Sequence, residues 1–302
     1  MSPASFPTVF DSTMLNSAAS CHHRFFREHC ENWHPKGQSV HLHAGGAFAH
    51  GLEAARKAFY VEGRSREDAE AIGIAALLTF YGDFDCPPDS AKSAERMAGA
   101  LEFYFASYPL GADGTPPVTL ASGKKGIELS FVEPLPIAHP ETGEPLLYSG
   151  RLDMLVEYAG GIFIEDDKTT SSLGATWSRQ WDLRSQFTGY CWGLRQCANI
   201  HAAGVLIRGV SILKTKYDTQ QAITYRSDWQ IAEWFERSLD LIEDLIRSWK
   251  RGYWRKALDS ACNEYGGCGL RSACLSRDPL PHYETHFEQK RWDPILRVEV
   301  PL

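Results

Sequence analysis

Apolar residues recur at helical spacing through the first third of the chain. Leu15, Ala18, Ala19 and Phe25 or Phe26 form one stripe over residues 11–31, with Asp11 or Ser12 placed to cap it. A second helix is predicted over about 45–60. A third starts near Ser65-Arg66-Glu67-Asp68, where the serine and the aspartate three residues on make a capping box, and it carries Ile72, Ile74, Leu77 and Leu78. A fourth covers about 90–108 with Met97, Leu101, Phe103, Tyr104 and Phe105. The turn-rich stretch 111–117 ends this helical region, and strand-like runs follow at 126–131, at 146–150 continuing into 151–158, and at 162–166. Gly160-Gly161 between the last two is a hairpin signal. Residues 178–197 read as helix, 204–213 and 222–226 as a strand pair, and 227–254 as a long amphipathic helix. The pattern predicts three consecutive parts in one integrated α/β domain. They are a helical N-terminal part (1–110), an α/β core (111–226), and a long helix with an irregular, cysteine-bearing C-terminal cap (227–302).

At 302 residues, 43% hydrophobic and 23% charged, the chain can bury a sizeable core. It has no run of about 18 apolar residues and no basic-then-apolar start of a secretory signal, so a cytoplasmic protein outside the membrane is expected. A net charge of −7 excludes a generic polycationic nucleic-acid coat, but leaves room for a basic groove beside an acidic site. Eight cysteines without a secretory signal suggest metal, cluster or buried thiols rather than a disulfide framework.

The candidate chemistry lies where the strand pattern ends. Gly150-Arg151-Leu152-Asp153 closes one apolar run, and Glu165-Asp166-Asp167-Lys168-Thr169 closes the next. Two carboxylates at adjacent strand ends can hold a hard divalent cation, and a lysine beside them can steady a water or offset charge on phosphate. Three successive acids leave the register open by one. Asp166 is the choice that shares a face with Lys168, while alternation turns Glu165 and Asp167 away. On the following helix Gln186 and Tyr190 are one turn apart.

In this order the elements G-R-x-D, D-x-K-T and Q-x-x-x-Y resemble the PD-(D/E)xK nuclease superfamily, and within it the RecB-like exonuclease branch of phage-type and CRISPR-adaptation-type nucleases. The resemblance implies a restriction-endonuclease-like core, a central mixed sheet flanked by helices. It also implies metal-dependent phosphodiester hydrolysis at DNA ends, with single-stranded DNA favoured. Asp153, Asp166, Lys168, Gln186 and Tyr190 become the catalytic set, with Mg2+ or Mn2+ held by Asp153 and Asp166. Gly46 to Glu53 is similar to the G-x-x-x-H-x-x-L-E helix of the branch, making His50 a further ligand, and Glu128 matches the acid of the preceding strand. The activity would serve recombination, repair, phage replication or DNA acquisition. The alternatives are a catalytically silent nucleic-acid-binding module and an end-trimming subunit of a CRISPR adaptation complex. No Walker A motif is present, so a helicase, or a recombination or adaptation protein, would be a separate partner.

Cys262, Cys268 and Cys274 lie in a glycine-rich segment suited to wrapping a metal or cluster, and Cys21 is the obvious fourth thiolate. The Cys21 to Phe26 stretch is similar to the C-P-R-x-F helix of the iron–sulfur members, which implies a 4Fe-4S cluster. Here His22 replaces the proline, and the spacing of the last three cysteines departs from the usual pattern. Zn2+ in the same thiolates, or no metal, remain open. Trp181 and Arg184 interleave aromatic and basic groups before the Gln186 helix, which suits base stacking and phosphate contact, or simply a core. Arg151 is a further phosphate candidate, or a solvated strand residue.

Overall fold

A computed structural model describes residues 3–37, 39–263, 267–297, 300 and 301. In chain order the elements begin with β1 (Val9–Phe10), α1 (Ser12–Ser20), α2 (His22–Phe25), β2 (Trp33–Pro35), α3 (Val40–Tyr60), α4 (Arg66–Tyr81) and α5 (Ala94–Ser107). Next come β3 (Ile127–Ala138), β4 (Pro145–Tyr158), β5 (Gly161–Thr170), α6 (Ala175–Arg179), α7 (Ser185–Ala198), β6 (Gly204–Ile212) and β7 (Tyr217–Tyr225). The chain ends with α8 (Asp228–Arg251), α9 (Arg271–Leu275), α10 (Leu280–His286), β8 (Phe287–Gln289) and β9 (Val300–Pro301). The molecule is therefore mixed α/β, and no helix among the described residues is long and apolar enough to cross a membrane. Two compact units interleave along the chain: 39–130 with 151–227, and 3–37 with 131–150 and 228–301.

The main sheet carries the strand order β7-β6-β5-β4-β3. β4 pairs antiparallel with β5, β5 parallel with β6, and β6 antiparallel with β7, so the sheet is mixed. The β4–β5 hairpin forms one residue earlier than the glycine pair suggests. Ala159 and Gly160 take the two positive φ angles, 50° and 79°, and Gly161 already pairs with Tyr158. Helices cover both faces. Phe48, Leu52, Met97, Leu101, Tyr104 and Phe105 from α3 and α5 pack with Val210 and Ile212 of β6. On the other face Trp177 of α6 lies so close to β6 that a Cβ on Gly209 would come within 2.3 Å of its ring. Each fully buried side chain of this size is worth about 1.5–3 kcal/mol.

The two predicted caps form, and Ser93 adds a third. Asp11 accepts from Met14 N at 2.8 Å, Ser65 from Asp68 N at 3.1 Å, and Ser93 from Arg96 N at 3.3 Å. The first predicted helix, in contrast, is broken. Cys21 is extended (φ −163°, ψ 117°) between α1 and α2, because its Sγ accepts from Ala257 N at 3.4 Å while His23 N donates to Arg255 O at 3.0 Å. These partners are more than 230 residues away in sequence, so no local pattern shows the break. The same unit holds the small cluster of Trp33, Leu270, Ala273, Tyr283 and Phe287, in which β2 pairs antiparallel with β8.

α3 and α4 approach through glycine. A Cβ on Gly73 would sit 2.7 Å from Gly51 O and 2.8 Å from Ala55 Cβ, with backbone that cannot swing aside. Gly73→Ala is expected to lower stability by about 1–3 kcal/mol, seen as a lower midpoint in urea unfolding followed by circular dichroism.

Candidate active site

The β4–β5 ladder runs from Tyr158↔Gly161 to Met154↔Glu165, and the next pair would be Asp153 and Asp166. There the backbone pairing stops. Asp167 N donates to the side-chain Oδ2 of Asp153 at 3.1 Å instead. β5 keeps its parallel pairing with β6 through Thr170↔Ser211, so only one edge of β5 opens. Strand alternation then sorts the charged run. Asp166 faces Lys168, whose Nζ lies 2.5 Å from Asp166 Oδ2 and 6.0 Å from the Phe187 ring centroid of α7. Glu165 and Asp167 project to the α3–α5 face. Arg56 lies 2.5 Å from Glu165 and 2.7 Å from Asp167, and the Tyr104 hydroxyl donates to Asp167 at 2.6 Å. Arg208 joins Glu165 at 3.2 Å and Asp113 at 2.7 Å.

Burial and crowding of like charge dominate the electrostatics. Asp166 is pushed up to about 7 by burial and by Asp153, with Lys168 opposing. Burial also raises Asp153, against the pull of Lys168. Glu128 is pushed up to about 8 by burial and then Asp153, with Arg151 opposing. Burial alone would lower Lys168, but Asp166 and Asp153 outweigh it and hold the ammonium protonated. Asp166 Oδ2 has no hydrogen bond beyond its ion pair with Lys168. The donors are hard oxygens, so their chemistry fits Mg2+ or Mn2+.

The wider ligand set is not assembled. Among the described residues no group of three or more His, Cys, Asp or Glu is disposed to hold a metal ion. His50, expected as a ligand, is about half exposed, with its ring beside Phe80 and Nδ1 4.0 Å from Glu53. Glu128 is bound to Arg151 Nε at 2.6 Å and sits on backbone with φ 52°, an uncommon conformation for a non-glycine residue. Arg151 also reaches Glu53 at 3.1 Å, which occupies a guanidinium expected to meet phosphate. A two-carboxylate site is still compatible with Mg2+, which keeps several waters and completes its shell with phosphate oxygens.

The sequence pattern of the PD-(D/E)XK nuclease superfamily matches residues 12–275, most of the chain. The chain belongs to this superfamily. Its mixed sheet with helices on both faces is the restriction-endonuclease-like fold, and its reaction class is that of a nuclease. The chain is also similar to the crystal structure of a candidate exonuclease from Eubacterium rectale, at 14% identity over 85% of this chain and 88% of that one, with a TM-score of 0.46. A second crystal structure, of the protein SSO0001, matches at 12% identity over 82% of this chain and 84% of that one, with a TM-score of 0.32. No curated protein matches the chain significantly.

Within this nuclease fold the remaining expected residues divide into four groups. Gln186 Nε2 donates to Tyr190 Oη at 2.8 Å, so the pair one helical turn apart is joined. Arg184 is part-buried and close enough to Lys168 to oppose its protonation. Of the two readings of Trp181, base stacking or core, its position is that of a core residue. It is 7% exposed, set edge-on to Trp177 and tilted on Phe187, because the loop before α7 folds into the core. Cys21, Cys262, Cys268 and Cys274 line a single cavity of about 380 Å³ together with Arg24, Lys256 and Arg271, yet they do not converge into a ready metal cage. Sequence reading missed Arg56, Tyr104 and Arg208. The available signal was an arginine between Ala55 and Ala58, on the stripe of α3 that faces the core.

A buried acid whose pKa is raised on folding is stabilising below its unfolded value near 4, and that contribution is lost as pH rises through about 7. Asparagine imitates the protonated acid. Asp166→Asn is therefore expected to raise the melting temperature of the metal-free protein at pH 8 by several degrees, roughly the shift for ~1–2 kcal/mol, and to leave it unchanged at pH 4. A melting series across that range checks the sign.

Proposed function

We propose that the protein is a divalent-metal-dependent DNA exonuclease of the RecB-like branch, cytoplasmic, acting at DNA ends and favouring single strands. The observation that carries this reading is the Asp153, Asp166 and Lys168 grouping at the opened edge of β5, in a chain of the nuclease superfamily. Asp153 and Asp166 would hold Mg2+ or Mn2+. When bound, the ion supplies Lewis acidity toward the scissile phosphate and lowers the pKa of the attacking water. Lys168 keeps its proton beside Asp166, so it acts as a fixed cation that orients the water or offsets charge on the phosphate oxygens. Arg184 extends that positive edge toward the phosphate backbone. Gln186 and Tyr190 fix each other on the helix beside Lys168, and the buried Phe187 between them limits water behind the lysine.

The cysteine cavity supports a second element, a 4Fe-4S cluster held by Cys21, Cys262, Cys268 and Cys274, with Zn2+ as the alternative occupant. Burial pushes the Cys274 thiol up, Lys256 opposes this, and Cys268, Cys21 and Cys262 add to the rise. Such a group would tie Cys21 to the C-terminal segment in the role that the Ala257 N–H now fills.

End-labelled single- and double-stranded DNA incubated with Mg2+, Mn2+ or EDTA tests the activity. Metal-dependent trimming is expected, reduced about 100-fold or more in Lys168→Ala and in Asp153→Ala, with the fold retained. Wild-type protein that binds DNA but never cuts it would instead establish a silent binding module. For the second element, anaerobic purification with metal analysis and visible absorption is expected to give iron and a broad band near 400 nm (roughly where thiolate-to-iron charge transfer falls), both lost in Cys268→Ser. Zinc without colour would select the alternative.

A further inference from the structure

We infer that Arg56 and Tyr104 are positioning residues that act through Asp167 to set the Asp153 carboxylate opposite Asp166. The inference rests on the nuclease reading of Asp153 and Asp166 and adds two residues of the opposite sheet face to that site. Asp167 is nearly buried and gripped at both carboxylate oxygens. Arg56 Nη1 pairs with Oδ2 at 2.7 Å, and Tyr104 Oη donates to Oδ1 at 2.6 Å. The same tyrosine oxygen accepts from Arg56 Nη2 at 3.2 Å, so the three groups form a closed triangle.

The consequence lies on the other side of the strand. The backbone N–H of Asp167 points across the opened edge of β5 to Asp153 Oδ2, at 3.1 Å, where the β4–β5 ladder has already stopped. That contact is the backbone donor that orients the Asp153 carboxylate. On its β4 side Asp167 has no ladder pair and its backbone is held only through the parallel pairing with Arg208 of β6, so a small rotation there would carry its N–H away from Asp153. Fixing the Asp167 side chain from behind removes that freedom. The arrangement is a hydrogen-bonded second layer of the kind that sets ligand geometry and changes metal affinity by about 10–100-fold when cut.

Three full-length variants separate positioning from general support. Tyr104→Phe removes one hydroxyl and no charge, and Arg56→Lys keeps charge but loses the fork. Asp113→Asn disturbs the neighbouring Arg208 pair without touching Asp167. Hydrogen exchange of the Asp167 amide, Mn2+ affinity by titration calorimetry, and DNA affinity in EDTA are measured for each. Tyr104→Phe and Arg56→Lys are expected to speed Asp167 exchange and to weaken Mn2+ binding, each by about 10-fold, with DNA affinity unchanged. Asp113→Asn is expected to lower the melting temperature and leave both readouts at the wild-type value. Unchanged exchange and Mn2+ affinity in folded Tyr104→Phe overturn the inference, as does an equal effect in Asp113→Asn. Faster exchange with unchanged Mn2+ affinity also overturns it. Wild-type protein that neither binds Mn2+ nor cuts DNA overturns the nuclease reading instead, and the exchange comparison still decides whether the triangle holds Asp167.

Discussion

Strand β5 carries Glu165, Asp166, Asp167 and Lys168 in succession, in the middle of a sheet covered on both faces. Ionised groups cannot lie unpaired in such an interior, so each has to find a partner where packing allows one. Alternation divides the problem. Glu165 and Asp167 are met on one face by Arg56, Arg208 and Tyr104, while Asp166 has only Lys168 on the other. One side is closed by its own cations, and on the other Asp166 and Asp153 both draw on Lys168.

That asymmetry connects stability with chemistry. The back face costs the burial of two arginines together with their acids; whole buried pairs of this kind are often replaceable by hydrophobic residues, but removing the arginines alone leaves Glu165 and Asp167 as uncompensated charges. What the arginines supply is a fixed strand edge. The front face keeps Asp166 near neutrality by burial and by Asp153, so the pair is least comfortable when both acids are charged and no cation is present. Acids crowded in this way hold the metal-free fold below the stability it would have with one of them neutral.

The N-terminal segment shows the same dependence on distant residues. Asp11 starts α1 by a local cap, but Cys21 leaves helical geometry because Arg255 and Ala257 offer backbone partners. The break sends the Cys21 thiol into the cavity it shares with Cys262, Cys268 and Cys274. Continuous helix through residue 21 would have placed that side chain by helical spacing alone.

Much of the fold was legible because its signals are local. Asp11, Ser65 and Asp68, and the apolar stripes of α3 to α5 announce helices through spacing and caps, and the alternating runs announce β4 and β5. The order of Asp153, Asp166, Lys168, Gln186 and Tyr190 was legible as well, since period two and period 3.6 fix which of them share a face. The sequence by itself thus determined the main helices and the central strands, the strand bearing the acids and the placing of Asp166 on the face of Lys168. Only the tertiary structure decided that His50 remains half exposed beside Glu53, that Trp181 is core, and that Arg56 crosses to Asp167. Those outcomes depend on how helices lie against a sheet, and the contacts between residues 56 and 167 or 21 and 257 arise from packing that local periodicity does not encode.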